Sequence, residues 1–159
     1  MPVASRLAAS ALLLLSLWSP GCQRGGDFPA VSLRGQRWLV DLATTVDQRY
    51  KGLSGRRQLS DGVGMLFIYP KPKVLEFCMR DCYLPLDIAF LDANRRVVKM
   101  HTMQVEYDRA GTVAYRSEVP AQYALEAPAG SLAQAGVQVG DQAEFSSSIP
   151  SPAIAEPGL

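Results

Sequence analysis

The chain has 159 residues, the size of one domain, and its 48% hydrophobic and 19% charged residues are an ordinary globular composition. The formal net charge is +1, and basic and acidic residues balance once Arg6 of the leader is set aside. Such a chain has no positive field to attract DNA or RNA, so we exclude nucleic acid as a principal partner.

The first 21 residues predict a signal peptide. After Arg6, the segment from Leu7 to Trp18 is apolar except for two serines. It is too short for a bilayer span, which needs roughly 20 residues. The following Ser19-Pro20-Gly21-Cys22 is similar to a bacterial lipobox, which predicts a lipid anchor on Cys22. An ordinary secretory leader with an incidental cysteine is the alternative, but no A-x-A cleavage site is present.

Both ends of the remaining chain predict irregular structure. We interpret residues 22–30 as a lipidated tether, residues 31–146 as the globular domain and residues 147–159 as a disordered tail rich in serine and proline. The expected location is the cell envelope, either the outer membrane, which Gln23 after the lipidated cysteine favours, or the periplasmic face of a membrane.

Strands dominate the globular part. The first predicted element is a strand over 37–43, and a short helix over 46–51, which Thr44 or Thr45 caps, follows it. Strand patterns follow over 64–69, 74–79, 86–92, 96–103 and 123–127, a helical turn is expected over 131–135, and residues 141–146 close the domain. Residues 92–95 predict a hairpin turn, and the wholly apolar segment 64–69 predicts an inner strand. The fold class is therefore α+β and mainly β: a single small roll or partly closed β-barrel with one or two short helices.

Several separated motifs identify a resemblance. They are Arg49-x-x-Gly52-Leu53-x-x-Arg56, Leu59, Gly64-Met-Leu-Phe67, the block from Phe77 to Asp92, Ala124-Leu-Glu126, Gly130 and Gly140-Asp141. In this order the chain resembles the domain of unknown function 192, a widespread group of bacterial and archaeal proteins. The resemblance implies a compact, mostly β domain and no established activity.

Cys78 and Cys82 depart from that family, whose members typically read Phe-Trp-Met-Lys-Asn-Thr where this chain reads Phe-Cys-Met-Arg-Asp-Cys. In an exported protein the pair favours a structural disulfide, which requires a tight turn at Arg80-Asp81. Free thiols, a redox-active pair and a metal site follow in that order. A metal site ranks last because only His101 could join the two thiols, and we expect no cofactor.

A second constellation contains charged residues. Asp87 lies between Leu86 and Ile88, where an ionised carboxylate needs a partner, and the resemblance suggests that it meets an arginine of the helix. The candidate ligand-binding residues are Arg49, Arg56, Arg80, Asp81 and Asp87. Arginines recognise anionic or hydroxylated ligands, while an internal ion pair that fixes helix against sheet is the structural alternative.

Three functions remain open. The first is a non-catalytic binding or accessory module at the cell envelope, which binds the membrane through its lipid and holds a small polar or anionic ligand. The second is a small hydrolase that uses Asp87 as a general base with an arginine. The third is a thiol–disulfide protein that uses Cys78 and Cys82. No catalytic constellation is recognisable in the sequence, which favours the first, and the oligomeric state is not specified.

Overall fold

The computed structural model describes residues 27–152, and the predicted signal peptide and Cys22 lie outside this range. The elements in chain order are β1 (Ala30–Leu33), β2 (Gln36–Ala43), α1 (Val46–Lys51), β3 (Val63–Lys73), β4 (Glu76–Phe77), β5 (Leu86–Leu91), β6 (Val97–Met103), β7 (Tyr115–Arg116), β8 (Ala121–Pro128), α2 (Ser131–Gln134) and β9 (Glu144–Phe145). No helix in this part of the chain has the length and apolar character needed to cross a membrane.

One curled sheet organises the domain as a half-barrel, which confirms the mainly β, α+β fold class. Its seven strands run in the order β6-β5-β8-β3-β2-β1-β9, and β4 and β7 form a separate two-stranded sheet. β3 lies between β8 and β2, which confirms that the apolar segment 64–69 is an inner strand. β2 and β3 are parallel, and the chain between them carries α1 across the sheet.

Local chemistry explains where α1 begins. The hydroxyl of Thr45 accepts a hydrogen bond from the Gln48 backbone N–H, and the Gln48 side chain accepts one from the Thr45 N–H. This reciprocal capping box satisfies two backbone donors that the first helical turn leaves unpaired. Gly52 ends the helix with a φ of 49°, a conformation that glycine adopts at low cost. The predicted helix over 46–51 is confirmed.

Two apolar clusters cover the two faces of the sheet. The cluster on the α1 face includes Phe67, Ile88 and Phe90, and Leu53, just beyond α1, packs into it. The cluster on the α2 face includes Trp38 and Leu66 and receives the side chain of Leu132 from α2. Because successive strand residues point to opposite faces, alternate residues of one strand join different clusters.

Some strand boundaries differ from the prediction. The predicted strand over 74–79 is wrong except for Glu76 and Phe77, because β3 continues to Lys73 and the chain then turns away. β1 begins at Ala30, one residue before the expected start of the globular part, and it was not predicted as a strand. Beyond the predicted domain end, Ile149 is buried in the core of the α2 face.

Candidate functional site

The sheet separates Asp87 from the predicted arginines. Asp87 lies two and four residues before Ala89 and Leu91 in β5, so its side chain points to the same face as theirs, the α2 face. Arg49 and Arg80 line a pocket with Phe67 and Phe77, which belong to the α1 face. The expectation that an arginine of the helix meets Asp87 is therefore wrong, because the two kinds of group lie on opposite faces.

Asp87 has a structural role instead. It is only 3% exposed, and its Oδ1 accepts a hydrogen bond from the Thr102 hydroxyl over 2.7 Å. Its Oδ2 accepts the backbone N–H of Leu132 over 3.0 Å, at the start of α2. Gly130, the N-cap of α2, offers no side-chain cap. Asp87 thus supplies from β5 the acceptor that the helix lacks at its own end.

Arg56 and Asp81 lie outside the pocket that holds the other two arginines. Arg56 forms an ion pair with Asp41 of β2 and lines a second, more open cavity of about 520 Å³. Asp81 is an exposed turn residue with a φ of 52°, and its carbonyl accepts the N–H of Gly55 over 2.9 Å. Of the five predicted ligand-binding residues, the structure brings together Arg49 and Arg80 only.

Arg49 and Arg80 share one of several pockets, which we call the Glu126 pocket and which has a volume of about 180 Å³. Arg49, Arg80, Cys78 and Cys82 line it together with Glu126 of β8. Register places Glu126 there, since it pairs with Ile88 of β5 and with Met65 of β3, and both partners belong to the α1 face. The two-residue period of a strand then directs its side chain to that face.

Glu126 is the most unusual group in the pocket. It is only 4% exposed, and its carboxyl group makes no hydrogen bond within residues 27–152. Burial disfavours the charged form and raises the pKa of Glu126 to about 8. At neutral pH the group is therefore mainly a neutral acid with one O–H to donate and free acceptor lone pairs.

Gly64 makes room for this arrangement. A Cβ atom at position 64 would lie 2.4 Å from the backbone oxygen of Glu126. The close approach of β3 to β8 therefore depends on the absence of a side chain at Gly64. Two of the family motifs, Gly-Met-Leu-Phe and Ala-Leu-Glu, thus pair in adjacent strands, and one residue of each, Phe67 and Glu126, lines the pocket.

The two arginines are held by backbone carbonyls and aromatic rings. Arg49 donates from Nη1 to the carbonyl of Ile68 over 2.9 Å and lies over the ring of Tyr69. Arg80 donates from Nη2 to the carbonyl of Tyr50 over 2.7 Å, and its guanidinium carbon lies 4.0 Å from the centroid of the Tyr50 ring. Neither forms an ion pair in the described part of the chain. Each keeps a full charge and further N–H donors, which suit an anion.

Cys78 and Cys82 are free thiols, so the disulfide predicted between them is not confirmed. Cys82 is buried, and its Sγ–H donates to the carbonyl of Arg80 over 3.6 Å. Burial, with a smaller effect of the nearby Glu126 carboxyl, raises the pKa of the Cys82 thiol to about 11. Cys78 is only partly buried.

Residues 27–152 contain no group of three or more His, Cys, Asp or Glu side chains placed to hold a metal ion. His101 has a packing role. Its Nε2 lies 2.8 Å from the carbonyl oxygen of Arg116, and its ring contacts those of Phe90 and Tyr115 edge-on.

The family model for the domain of unknown function 192, described as "Uncharacterized ACR", matches residues 30–145. The chain belongs to this family. No functionally curated protein shows significant similarity to it.

Two solved structures resemble this member of the family. One is a protein from Sinorhizobium meliloti 1021 described as "a putative transcription regulator", with 31% identity over 74% of this chain and 92% of that chain, and a TM-score of 0.68. The other is a protein of unknown function from Novosphingobium aromaticivorans DSM 12444, with 31% identity over 73% of this chain and 82% of that chain, and a TM-score of 0.66.

Sequence reasoning did not include Glu126 among the site residues. The sequence feature that singled out Asp87, an acidic residue within an apolar strand, is also present at Glu126. Which of the two acids has internal partners depends on strand register, and register is visible only in the fold.

Proposed function

We propose that this protein is a lipid-anchored, non-catalytic binding module of the bacterial cell envelope, which holds a small anionic and hydroxylated ligand in the Glu126 pocket. The observation that carries the proposal is the carboxyl group of Glu126, which is 4% exposed, makes no hydrogen bond within residues 27–152 and lines a pocket with two arginines at its rim. A buried polar group without a partner costs stability, so such a group suggests a role other than stabilising the fold.

The chemistry of the pocket selects the ligand class. The guanidinium groups of Arg49 and Arg80 are charged and pair with no carboxylate of residues 27–152, so an anionic group of the ligand is favoured at the rim. The protonated acid at the floor can donate to, and accept from, a hydroxyl group. The rings of Phe67 and Phe77 give an apolar wall, as in most small-molecule sites. A hydroxylated carboxylate combines these features.

Catalysis by Asp87 does not fit this arrangement. A general base must be within reach of its substrate, whereas Asp87 is only 3% exposed and both of its oxygens accept hydrogen bonds from the protein itself. The transcription-regulator description belongs to the Sinorhizobium meliloti protein, and the balanced charge of this chain offers no comparable reason to propose nucleic-acid binding.

The anchor rests on the leader and on Cys22. Asp27 accepts a hydrogen bond from the backbone N–H of Ser148, and the carbonyl of Phe28 accepts one from the Ser146 hydroxyl. The domain is therefore fixed to the chain from Asp27 onward. Five peptide steps separate Cys22 from Asp27, and a fully extended chain spans at most about 3.5 Å for each. A lipidated Cys22 would hold the domain within roughly 17 Å of the membrane surface.

Isothermal titration calorimetry on the full chain with three probes tests the binding proposal. D-gluconate carries a carboxylate and hydroxyls, acetate only the carboxylate, and sorbitol only the hydroxyls. We expect D-gluconate to bind more tightly than either of the other two. Arg80→Met should weaken its binding by about tenfold, since a charge-assisted hydrogen bond contributes about 1.5 kcal/mol or more.

Arg56→Met is the matched control, because Arg56 pairs with Asp41 outside the pocket. It should leave the affinity for D-gluconate within about twofold, well below the tenfold that 1.4 kcal/mol represents. Absence of D-gluconate binding, or an equal loss in both variants, would overturn the proposal. For the anchor, labelling of cells with radioactive palmitate should mark the wild type and not Cys22→Ser, and equal labelling would refute lipidation of Cys22.

A further inference from the structure

Cys78, Arg80 and Cys82 belong to one short turn in the wall of the Glu126 pocket. The backbone N–H of Cys82 donates to the carbonyl of Met79 over 3.2 Å, which closes the turn. Residues four apart in an extended strand are about 13 Å from each other, and a turn at this place brings the two cysteines much closer. Both cysteines line the same pocket, and Cys78 is near enough for its charge to contribute to the raised pKa of the Cys82 thiol.

Arg80 depends on the same turn. Its carbonyl accepts hydrogen bonds from the Ser54 hydroxyl over 2.8 Å and from the Cys82 thiol over 3.6 Å. Its guanidinium lies over the ring of Tyr50 at the pocket rim. Conversion of the Cys82 thiol to a disulfide removes the hydrogen that it donates to this carbonyl. A disulfide also holds the two Cα atoms about 4.4–6.8 Å apart, which fixes the spacing of the two ends of the turn.

We infer that Cys78 and Cys82 form a reversible disulfide that repositions Arg80 and thereby weakens ligand binding in the Glu126 pocket. The effect on the ligand rests on the proposed function, whereas formation of the bond and movement of the turn do not.

The reaction is a thiol–disulfide exchange with a disulfide oxidant, either a small disulfide or an oxidised dithiol protein of the exported compartment. The more accessible thiol, Cys78, loses its proton, and its thiolate attacks the oxidant, displacing one thiolate. The thiolate of Cys82 then attacks the Cys78 sulfur and displaces the second. The two displaced thiolates take up the two protons that the protein thiols lose, so two electrons reduce the disulfide of the oxidant to a pair of thiols.

The second step should be the slow one. Burial raises the pKa of Cys82, so little of this thiol is ionised at neutral pH. The mixed disulfide on Cys78 should therefore accumulate before the internal bond closes. Closure should become faster as the pH rises.

The test uses the full chain with Cys22→Ser, so that only the two pocket cysteines react. It is equilibrated in a series of buffers with different ratios of oxidised to reduced dithiothreitol, and intact-mass spectrometry then measures the loss of two hydrogens. Amide NMR follows the N–H groups of Gly55 and Cys82, which donate to the turn at Asp81 and Met79. Both signals should shift in step with the mass change.

Calorimetry with D-gluconate completes the test. The oxidised protein should bind at least about fivefold more weakly than the reduced protein, the lower end of ordinary coupling between two sites. Cys82→Ser, which cannot close the ring, should show one affinity in all buffers. If no buffer removes two hydrogens, or if oxidation leaves both amide signals and the affinity unchanged, the inference is overturned. If the reduced protein binds no D-gluconate, the proposed function fails, while the mass and amide measurements still decide the redox inference.

Discussion

Replacing Glu126 by glutamine should stabilise the protein at neutral pH, although the substitution exchanges the carboxyl group of the candidate site for an amide. The reason is the difference between the folded and unfolded states. The folded state holds Glu126 as a neutral acid with a pKa of about 8, whereas the ordinary value is 4.5. Between these two values the folded protein binds a proton that the unfolded chain has released. Stability is therefore fully present below pH 4.5 and falls as the pH rises toward 8.

The size of the effect follows from the two pKa values. Each pH unit between them costs about 1.36 kcal/mol, so at pH 7 the wild type loses about 3 kcal/mol relative to pH 4.5. Glutamine has nearly the shape of the protonated acid and does not titrate. We expect Glu126→Gln to unfold at nearly the same free energy as the wild type at pH 4. The variant should be about 3 kcal/mol more stable at pH 7 and about 5 kcal/mol more stable at pH 9.

Urea denaturation, followed by circular dichroism in a series of buffers from pH 4 to pH 9, measures this difference. Glu144→Gln controls for loss of a negative charge, because Glu144 is exposed at the edge strand β9. A difference between Glu126→Gln and the wild type that does not change with pH would refute the reasoning. So would a glutamine variant that is less stable at pH 7, since the carboxylate would then have a favourable partner in the folded state.

Two further substitutions test the account of the sheet. Asp87→Ala should destabilise the protein by about 3 kcal/mol in urea denaturation, because it leaves the Thr102 hydroxyl and the Leu132 N–H without an acceptor. Thr102→Val, which removes only one of these hydrogen bonds, should cost about 1 kcal/mol. An Asp87→Ala variant as stable as the wild type would contradict the role of Asp87 as the cap of α2. Gly64→Ala should cost at least about 2 kcal/mol by the same measurement, because its Cβ would lie 2.4 Å from the Glu126 carbonyl oxygen. Gly35→Ala is the control: no atom lies near its Cβ position, so it should cost only about 1 kcal/mol, for its positive φ. Equal losses in the two variants would contradict the close approach of β3 to β8.

Local signals made much of the fold predictable. Thr45 and Gln48 are three residues apart, so the capping box that starts α1 is formed within one helical turn. The hairpin between β5 and β6 is similarly local, since Asp92 accepts hydrogen bonds from the backbone N–H groups of Asn94 and Arg96. Features that depend on a few neighbouring residues are therefore visible in the sequence.

The site was harder to predict because it depends on pairing between distant strands. β5 and β8 pair so that Ile88 lies opposite Glu126 and Asp87 lies opposite Ala127. Directly opposite residues of an antiparallel pair point to the same face, so this one-residue offset places the two acids on opposite faces. The sequence shows both acids in apolar strands but does not show the offset. The interpretation of Asp87 as the partner of the arginines failed for this reason.

The strand predicted over 74–79 failed for a related reason. Its residues favour extended structure, but a strand also needs a partner at the right distance. β3 pairs with β8 with a shift in register between Ile68 and Lys73, and only Glu76 and Phe77 then find a partner, in β7. Intrinsic preference for strand is weaker than this tertiary requirement.

The pKa of Glu126 itself is the quantity on which the proposed site depends most directly. Carbon NMR of the full chain, with glutamate labelled at the side-chain carboxyl and the Glu126 signal assigned by its loss in Glu126→Gln, measures it in a pH titration. The account predicts a midpoint near pH 8, with the group mainly protonated at neutral pH. A midpoint near the ordinary 4.5 would show a solvated or paired carboxylate and would contradict the buried acid at the floor of the pocket.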